Sequence, residues 1–322
     1  EHAPIASFAR GLLAKFEASS AKGIVNKNIL RAMLMFEGLN ALGVKYAPDA
    51  NTPFHRARGD VVALDNIQYP FELMQSLLGD CDDNTVLYCS LLENLNIPTA
   101  FVDVPGHILM MFDSGIPSNR SLGTLLPNSM FVEHRGSLWV PIEVTVLGEG
   151  RLFFDAWELG AKTLSKIDTS LPNALVVVSD AWSVYPYGDL QEEYSIEWPT
   201  ADLLRNNLRE NLDQIEDMHG VFFDNTYVRP LLKKPNDDQL RLNMARAHIE
   251  SGKFYLALTQ LPLISGTLKA QALYLIGYSY AGLGDLRFAA GYIEEAIKLQ
   301  PEHFGYMESL CWIYSEIISK QL

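Results

Sequence analysis

The chain is poor in cysteine: three in 322 residues, Cys81, Cys89 and Cys311. No two of them form a Cys-x-x-Cys pair, so neither a disulfide scaffold nor a structural zinc site is expected. It is also short of positive charge. Lys and Arg number 25 against 39 Asp and Glu, a formal net charge of −14, which argues against nucleic acid and anionic membrane surfaces as main partners. No apolar run approaches the ~20 residues of a membrane-crossing helix, so no transmembrane segment is expected. No signal-peptide pattern opens the sequence, and because it starts at Glu1 rather than Met this decides nothing about compartment. Against these shortages, 48% of the residues are hydrophobic. A real core is expected, and the length suits two domains.

The stretch around which the rest is organised is Gly79-Asp80-Cys81-Asp82-Asp83. Gly79 permits a close backbone approach, Asp80 is a good helix N-cap, and Leu87, Leu91 and Leu95 mark the apolar stripe of the helix that follows. A thiol in the first turn of a helix lies near the positive end of the dipole, which favours the attacking thiolate. The carboxylates of Asp80, Asp82 and Asp83 oppose this, so a basic partner is needed. Residues 98–104 read as a strand, Pro105-Gly106 as a turn, and 107–112 as a second strand with His107 at its head. Residues 138–145 read as a third, with Trp139, Pro141 and Glu143 on one face. Antiparallel pairing of the last two would let Glu143 face His107, giving a nucleophile, a base and an orienting acid.

The runs GDCDDNTVLYCSLLENLNIPTAFV, PGHILMMFD and LWVPIEVT together resemble the core of the transglutaminase-like superfamily of papain-related cysteine enzymes. The family pattern is Gly-x-Cys opening a helix, Gly-His heading a strand, and an acid in a Trp-x-Pro-x-acid-x-Thr strand. The resemblance covers residues 28–157 and implies an α+β core of helices packed on an antiparallel sheet. It implies Cys81 as nucleophile, His107 as base and Glu143 as orienting acid, where the family usually has the shorter Asp. The segment at residues 66–70 resembles the one before the family's cysteine, which implies an oxyanion-stabilising side chain at Gln68 or Tyr69. Tyr46-Ala47-Pro48-Asp49 resembles a further upstream segment. The implied activity is thiol-dependent acyl chemistry on protein or peptide amides, by hydrolysis or amine transfer, with no cofactor and no metal. A calcium loop at Asp80-x-Asp82-x-Asn84 is rejected, because Thr85 stands where such a loop needs Gly and Leu91 where it needs Glu.

Four regions are expected: an N-terminal helix within 1–27, the transglutaminase-like domain at 28–181, a connector with a helix at 182–236, and an all-α region at 237–322. Helices are read at 5–17, 26–42, 69–78 and 200–218, and one more strand at 175–178. Residues 51–65 read as a charged loop, and Gly115, Pro117, Gly123 and Pro127 are expected to break the sheet over 114–129. In the last region Gly277, Tyr280, Gly284-Asp285, Ala289, Ala296 and Pro301 fall where a tetratricopeptide repeat places its small residues, turn and proline. Cys311 and Tyr314 match Gly277 and Tyr280 at that repeat's 34-residue period. The match, strongest over 268–303, implies two repeats and a last helix with a groove for a protein partner. Such repeats beside such a domain imply a bacterial periplasmic or cell-surface protein. A second class stays open: a catalytically degenerate scaffold that binds a protein through its cleft and repeats. The ordinary roles of these residues compete throughout, Cys81 as a small buried hydrophobe and Glu143 as a surface strand acid. Cys89 is expected in the core, and His134 as a water-facing fallback base.

Overall fold

The computed structural model describes residues 3–16, 25–48, 67–120, 126–167, 175–185 and 196–320. These form two compact units, one built from residues up to 119 and from 127–217, the other chiefly from 218 onward. The architecture is mixed α+β. The charged loop read at 51–65 lies outside the described residues.

The first unit opens with α1 (Ala3–Phe16) and α2 (Lys27–Leu42). Asn26 caps α2 by accepting from the Ile29 amide, and Gly43 ends it in the left-handed conformation, where a Cβ is disfavoured. The helices approach closely at Gly38, whose added Cβ would lie 2.5 Å from Leu12. β1 (Lys45–Tyr46) pairs in parallel with β2 (Leu78–Gly79), which follows the short α3 (Pro70–Ser76). Next come α4 (Cys81–Glu93), β3 (Thr99–Val104) and β4 (His107–Pro117). β5 (Val132–His134) and β6 (Ser137–Ile142) form a hairpin, α5 (Phe153–Leu164) follows, then β7 (Leu175–Val177) and α6 (Val178–Val184). The five main strands run antiparallel in the order β5-β6-β4-β3-β7.

Both faces of β4 are buried, which is why residues 108–112 read as an unbroken apolar run rather than an alternation. Leu109 and Met111 join Ala100, Val102, Trp139 and Val177 in one cluster. Phe112 turns the other way, to Phe153, which meets Phe36 at 6.0 Å between ring centroids, and Phe36 meets Tyr88 at 5.8 Å. The Tyr88 hydroxyl donates to the Ala32 carbonyl at 2.8 Å, fixing α4 to α2.

Four expectations are corrected. The third strand stops at Ile142, because the Glu143 side chain accepts from the Thr145 amide and caps a tight turn, Val144–Val146. The sheet does not break at Gly115 and Pro117. β4 continues through them with an irregularity between Asp113 and Ile116, and pairs with Leu138 and Ser137. The connector read from residue 182 begins as helix, since α6 runs to Val184. α7 (Ala201–Phe223) outruns its expected end at 218.

In the second unit a π-type turn, Asp224–Val228, leads from α7 to α8 (Arg229–Lys233). Then α9 (Asp238–Glu250) and α10 (Phe254–Gln260) form one helical hairpin, α11 (Lys269–Gly282) and α12 (Leu286–Leu299) a second, and α13 (Phe304–Ser319) follows. Gly277 lets α11 and α12 touch: an added Cβ would lie 2.6 Å from Ile293 and 2.8 Å from the Ala289 carbonyl oxygen. Gly284 makes the turn at φ +86°. Cys311, matched in sequence to the buried Gly277, is exposed, because no helix follows α13 among the described residues. No described helix is long and apolar enough to cross a membrane.

Candidate active site

Cys81 is the first residue of α4 and is buried, so its own amide is among those that lack an intrahelical acceptor. The turn that presents it is tightly built. Asp80 and Asp83 each accept from the other's backbone amide, at 3.3 and 3.2 Å. Asn84 donates to the carbonyls of Gly79 and Asp80, both at 2.8 Å. Two of the acids that seemed to oppose a thiolate thus serve the cap that orients it.

His107 opens β4 directly after the Pro105-Gly106 turn and lies close enough to Cys81 for the two to interact electrostatically. Its Nε2 donates to both Glu143 oxygens, at 2.9 and 3.0 Å, leaving Nδ1 as the nitrogen for the thiol. Glu143 stands one residue past the end of β6. Its Oε1 also accepts from the Thr145 hydroxyl at 2.6 Å and the Thr145 amide at 3.1 Å. The three residues expected from separate motifs therefore meet, and the longer Glu reaches the imidazole.

The electrostatics agree with this geometry. Burial alone would lower the His107 pKa. The nearby Cys81 thiol, the bond to Glu143 and the charge of both outweigh it, bringing the imidazole up to about 9. Burial likewise acts to raise Glu143, and the bond to His107, its charge and the two Thr145 donors hold the carboxyl below its ordinary range. Cys89 is the contrast: fully packed in α4, its thiol is pushed far upward by burial.

The oxyanion role expected of Gln68 does not fit its surroundings. Its Nε2 donates to the Leu78 carbonyl at 3.1 Å and to Asp83 at 2.8 Å, and its Oε1 accepts from Ser76. Both amide protons are committed to bracing the turn before Cys81. Tyr69 is exposed and stacks on Phe71. His134 packs edge-on against Trp139, and burial with the nearby Arg135 charge lowers its pKa.

Tyr46 pairs with Gly79 across the two-residue β1–β2 bridge. Burial raises its phenol, and the charges of Cys81, Asp80, Glu143 and Asp82 add to this, so it borders the site as a neutral hydroxyl. Its only signal was the upstream segment around it.

Asp80, Cys81 and Asp82 bring ligand-type atoms within 4.8 Å of one another. The Asp80 carboxylate caps α4 and the thiol lies beside His107, a donor set explained by the helix start and the base. No family model, curated protein or solved structure matches the chain.

Proposed function

We propose that this protein carries out thiol-dependent acyl chemistry on protein or peptide amides through Cys81, His107 and Glu143, in a transglutaminase-like domain. The observation that carries this reading is the chain of contacts from a thiol at a helix N-terminus to an imidazole held by a carboxylate. A purely structural cysteine has no use for that arrangement. In the reaction His107 takes the Cys81 proton, and Glu143 fixes the ring and favours the imidazolium. The thiolate attacks the carbonyl carbon, and the oxyanion forms beside the Cys81 amide and the Tyr46 hydroxyl. Such donors are each worth about 3 kcal/mol in the transition state. The C–N bond breaks, the imidazolium protonates the leaving amine, and a thioester remains. Water or a second amine then attacks with His107 as base, giving hydrolysis or transfer.

The test is alkylation of Cys81 by iodoacetamide against pH, read by mass spectrometry on the intact protein. Rapid labelling of Cys81 below neutral pH, lost in His107→Ala and absent at Cys89, is the expected result. Labelling that rises only near the ordinary thiol pKa of about 8.5 would overturn the catalytic reading in favour of a binding module. Cys81→Ala should then abolish turnover of a Gln- or peptide-amide substrate, and Tyr46→Phe should lower kcat more than it raises KM.

A further inference from the structure

We propose that the second unit carries an acid-released clamp, in which protonation of His248 drives its ring out of an aromatic cluster with Phe223 and Tyr227 and frees the end of α7 from α9. The residues concerned lie within one compact unit. His248 stands in the last turn of α9 and packs on Phe223, the last residue of α7, with 4.6 Å between ring centroids. Phe223 in turn meets His219, one turn earlier, at 5.7 Å and Tyr227 at 5.0 Å. His219, Tyr227 and His248 are all buried. Tyr227 belongs to the π-type turn Asp224–Val228, and such turns are rare and gather at functional sites.

Two observations make His248 the trigger. Its Nδ1 is buried and has no hydrogen-bond partner among the described residues. An imidazolium would carry an N–H there that nothing accepts, on a desolvated charge. The neighbours whose charge acts on the ring are also basic. Lys253 is tied to it, its amide donating to the His248 carbonyl at 2.8 Å, and with His219 of α7 it opposes a further positive charge. Burial first, then these two, hold His248 down at about 4. The Phe223 face and the C-terminal end of α9 both attract a cation. The last carbonyls of α9 are already taken by the amides of Ser251, Gly252 and Lys253, which weakens the second attraction. Tyr227 is kept neutral by burial and by the Glu250 charge. The apolar cluster in which Leu242, Ala245 and Ile249 of α9 meet α10 and α11 brings the phenols of Tyr280 and Tyr292. A histidine whose folded pKa is depressed favours the closed cluster fully above pH ~6.5, and that preference is lost as pH falls towards about 4.

The experiment is hydrogen exchange on the full chain at pH 7.5 and pH 5, read by mass spectrometry and corrected for the intrinsic pH dependence of amide exchange. Protection over residues 219–228 and in α9 should fall about tenfold more in the wild type than in His248→Leu, which keeps an apolar side chain on Phe223 and cannot take a proton. The amides of α11 and α12 should keep their protection at both pH values. The second measurement needs no variant: the Cε1 proton of His248, followed by NMR in the wild type, should titrate below the ordinary 6.5. Lys253→Gln removes one basic neighbour and should move that midpoint upward. Titration of His248 at 6.5 or above, equal acid loosening in the wild type and His248→Leu, or loosening spread evenly over the helices of the second unit would overturn the proposal.

Discussion

At the scale of single residues, the behaviour of His107 sets the pH response of the first unit. Its pKa rises from the ordinary value near 6.5 to about 9 on folding. A basic group raised in this way stabilises the fold fully below pH ~6.5, and the contribution is lost as pH rises through about 9. The ring is partly exposed, so the gain is roughly 1–2 kcal/mol after solvent screening. Thermal melts of the wild type and His107→Ala should therefore differ most at pH 6 and converge by pH 10. The leaving amine needs the imidazolium, so turnover should fall along an alkaline limb near 9. Glu143→Gln removes the carboxylate that helps raise the ring and should move that limb towards neutrality, visible in a pH profile of kcat/KM. Cys81, His107 and Glu143 were legible in the sequence because each sits at a self-announcing junction: a cap before a helix, a turn before a strand, an acid after a Trp-x-Pro strand. Tyr46 was marked only by the resemblance of its segment and given no role, since what brings it beside Cys81 is a two-residue pairing with Gly79 that leaves no periodicity behind. The Gln68 amide bonds Leu78 and Asp83, 10 and 15 residues further on, contacts that no periodicity in the sequence marks.

At the scale of elements, two contacts hold the site's supports. The carboxylate of Glu37, wholly buried in α2, accepts from the Phe153 amide at 2.7 Å and the Asn211 side chain at 2.8 Å. It also accepts from Asn207 at 2.9 Å and Asn40 at 3.2 Å. One acid thus ties α2 to the start of α5 and to the middle of α7. Burial raises its pKa against all four bonds. Glu37→Ala strands several buried donors, at about 1–3 kcal/mol each, and should lower the melting temperature by several degrees or leave the chain unfolded. Glu37→Gln keeps the shape but turns two protons towards donors, and should fall between the two in a denaturant titration. The second contact is Gly160, where an added Cβ would lie 2.7 Å from the Pro141 carbonyl oxygen. Gly160→Ala gains helix propensity of about 1 kcal/mol, yet forces α5 off the β6 backbone at ~1–3 kcal/mol. Glu143 follows β6 directly, so the variant should lose more turnover than stability. The sequence placed most helices and strands well because burial patterns are local. It extended β6 through Thr145 because Glu143-Val144-Thr145 alternates like a strand, while the Glu143 side chain turns the chain by bonding the Thr145 amide. It could not find Glu37, a lone acid in an apolar stripe whose main partners lie more than a hundred residues away.

At the scale of the whole molecule, the two units differ in how far apart in the chain their contacts lie. The second is built from neighbouring hairpins, so Gly277→Val should act locally. Hydrogen exchange should quicken in α11 and α12, while the amides of β3 and β4 keep their protection. The small-residue pattern that made this region readable is itself short-range, with Gly277 meeting Ala289 and Ile293. The first unit is the opposite case. Glu37 and Asn211 are 174 residues apart, and at synthesis rates of ~5–20 residues per second roughly 9–35 s separate their appearance. By then the thiol, its base and the whole sheet have already been made. On a ribosome, the last partner to arrive for the buried carboxylate of α2 is α7. Manufacture therefore delays a finished support for Cys81, His107 and Glu143 until most of the chain exists, and a chain halted before α7 carries all three side chains on an incomplete frame.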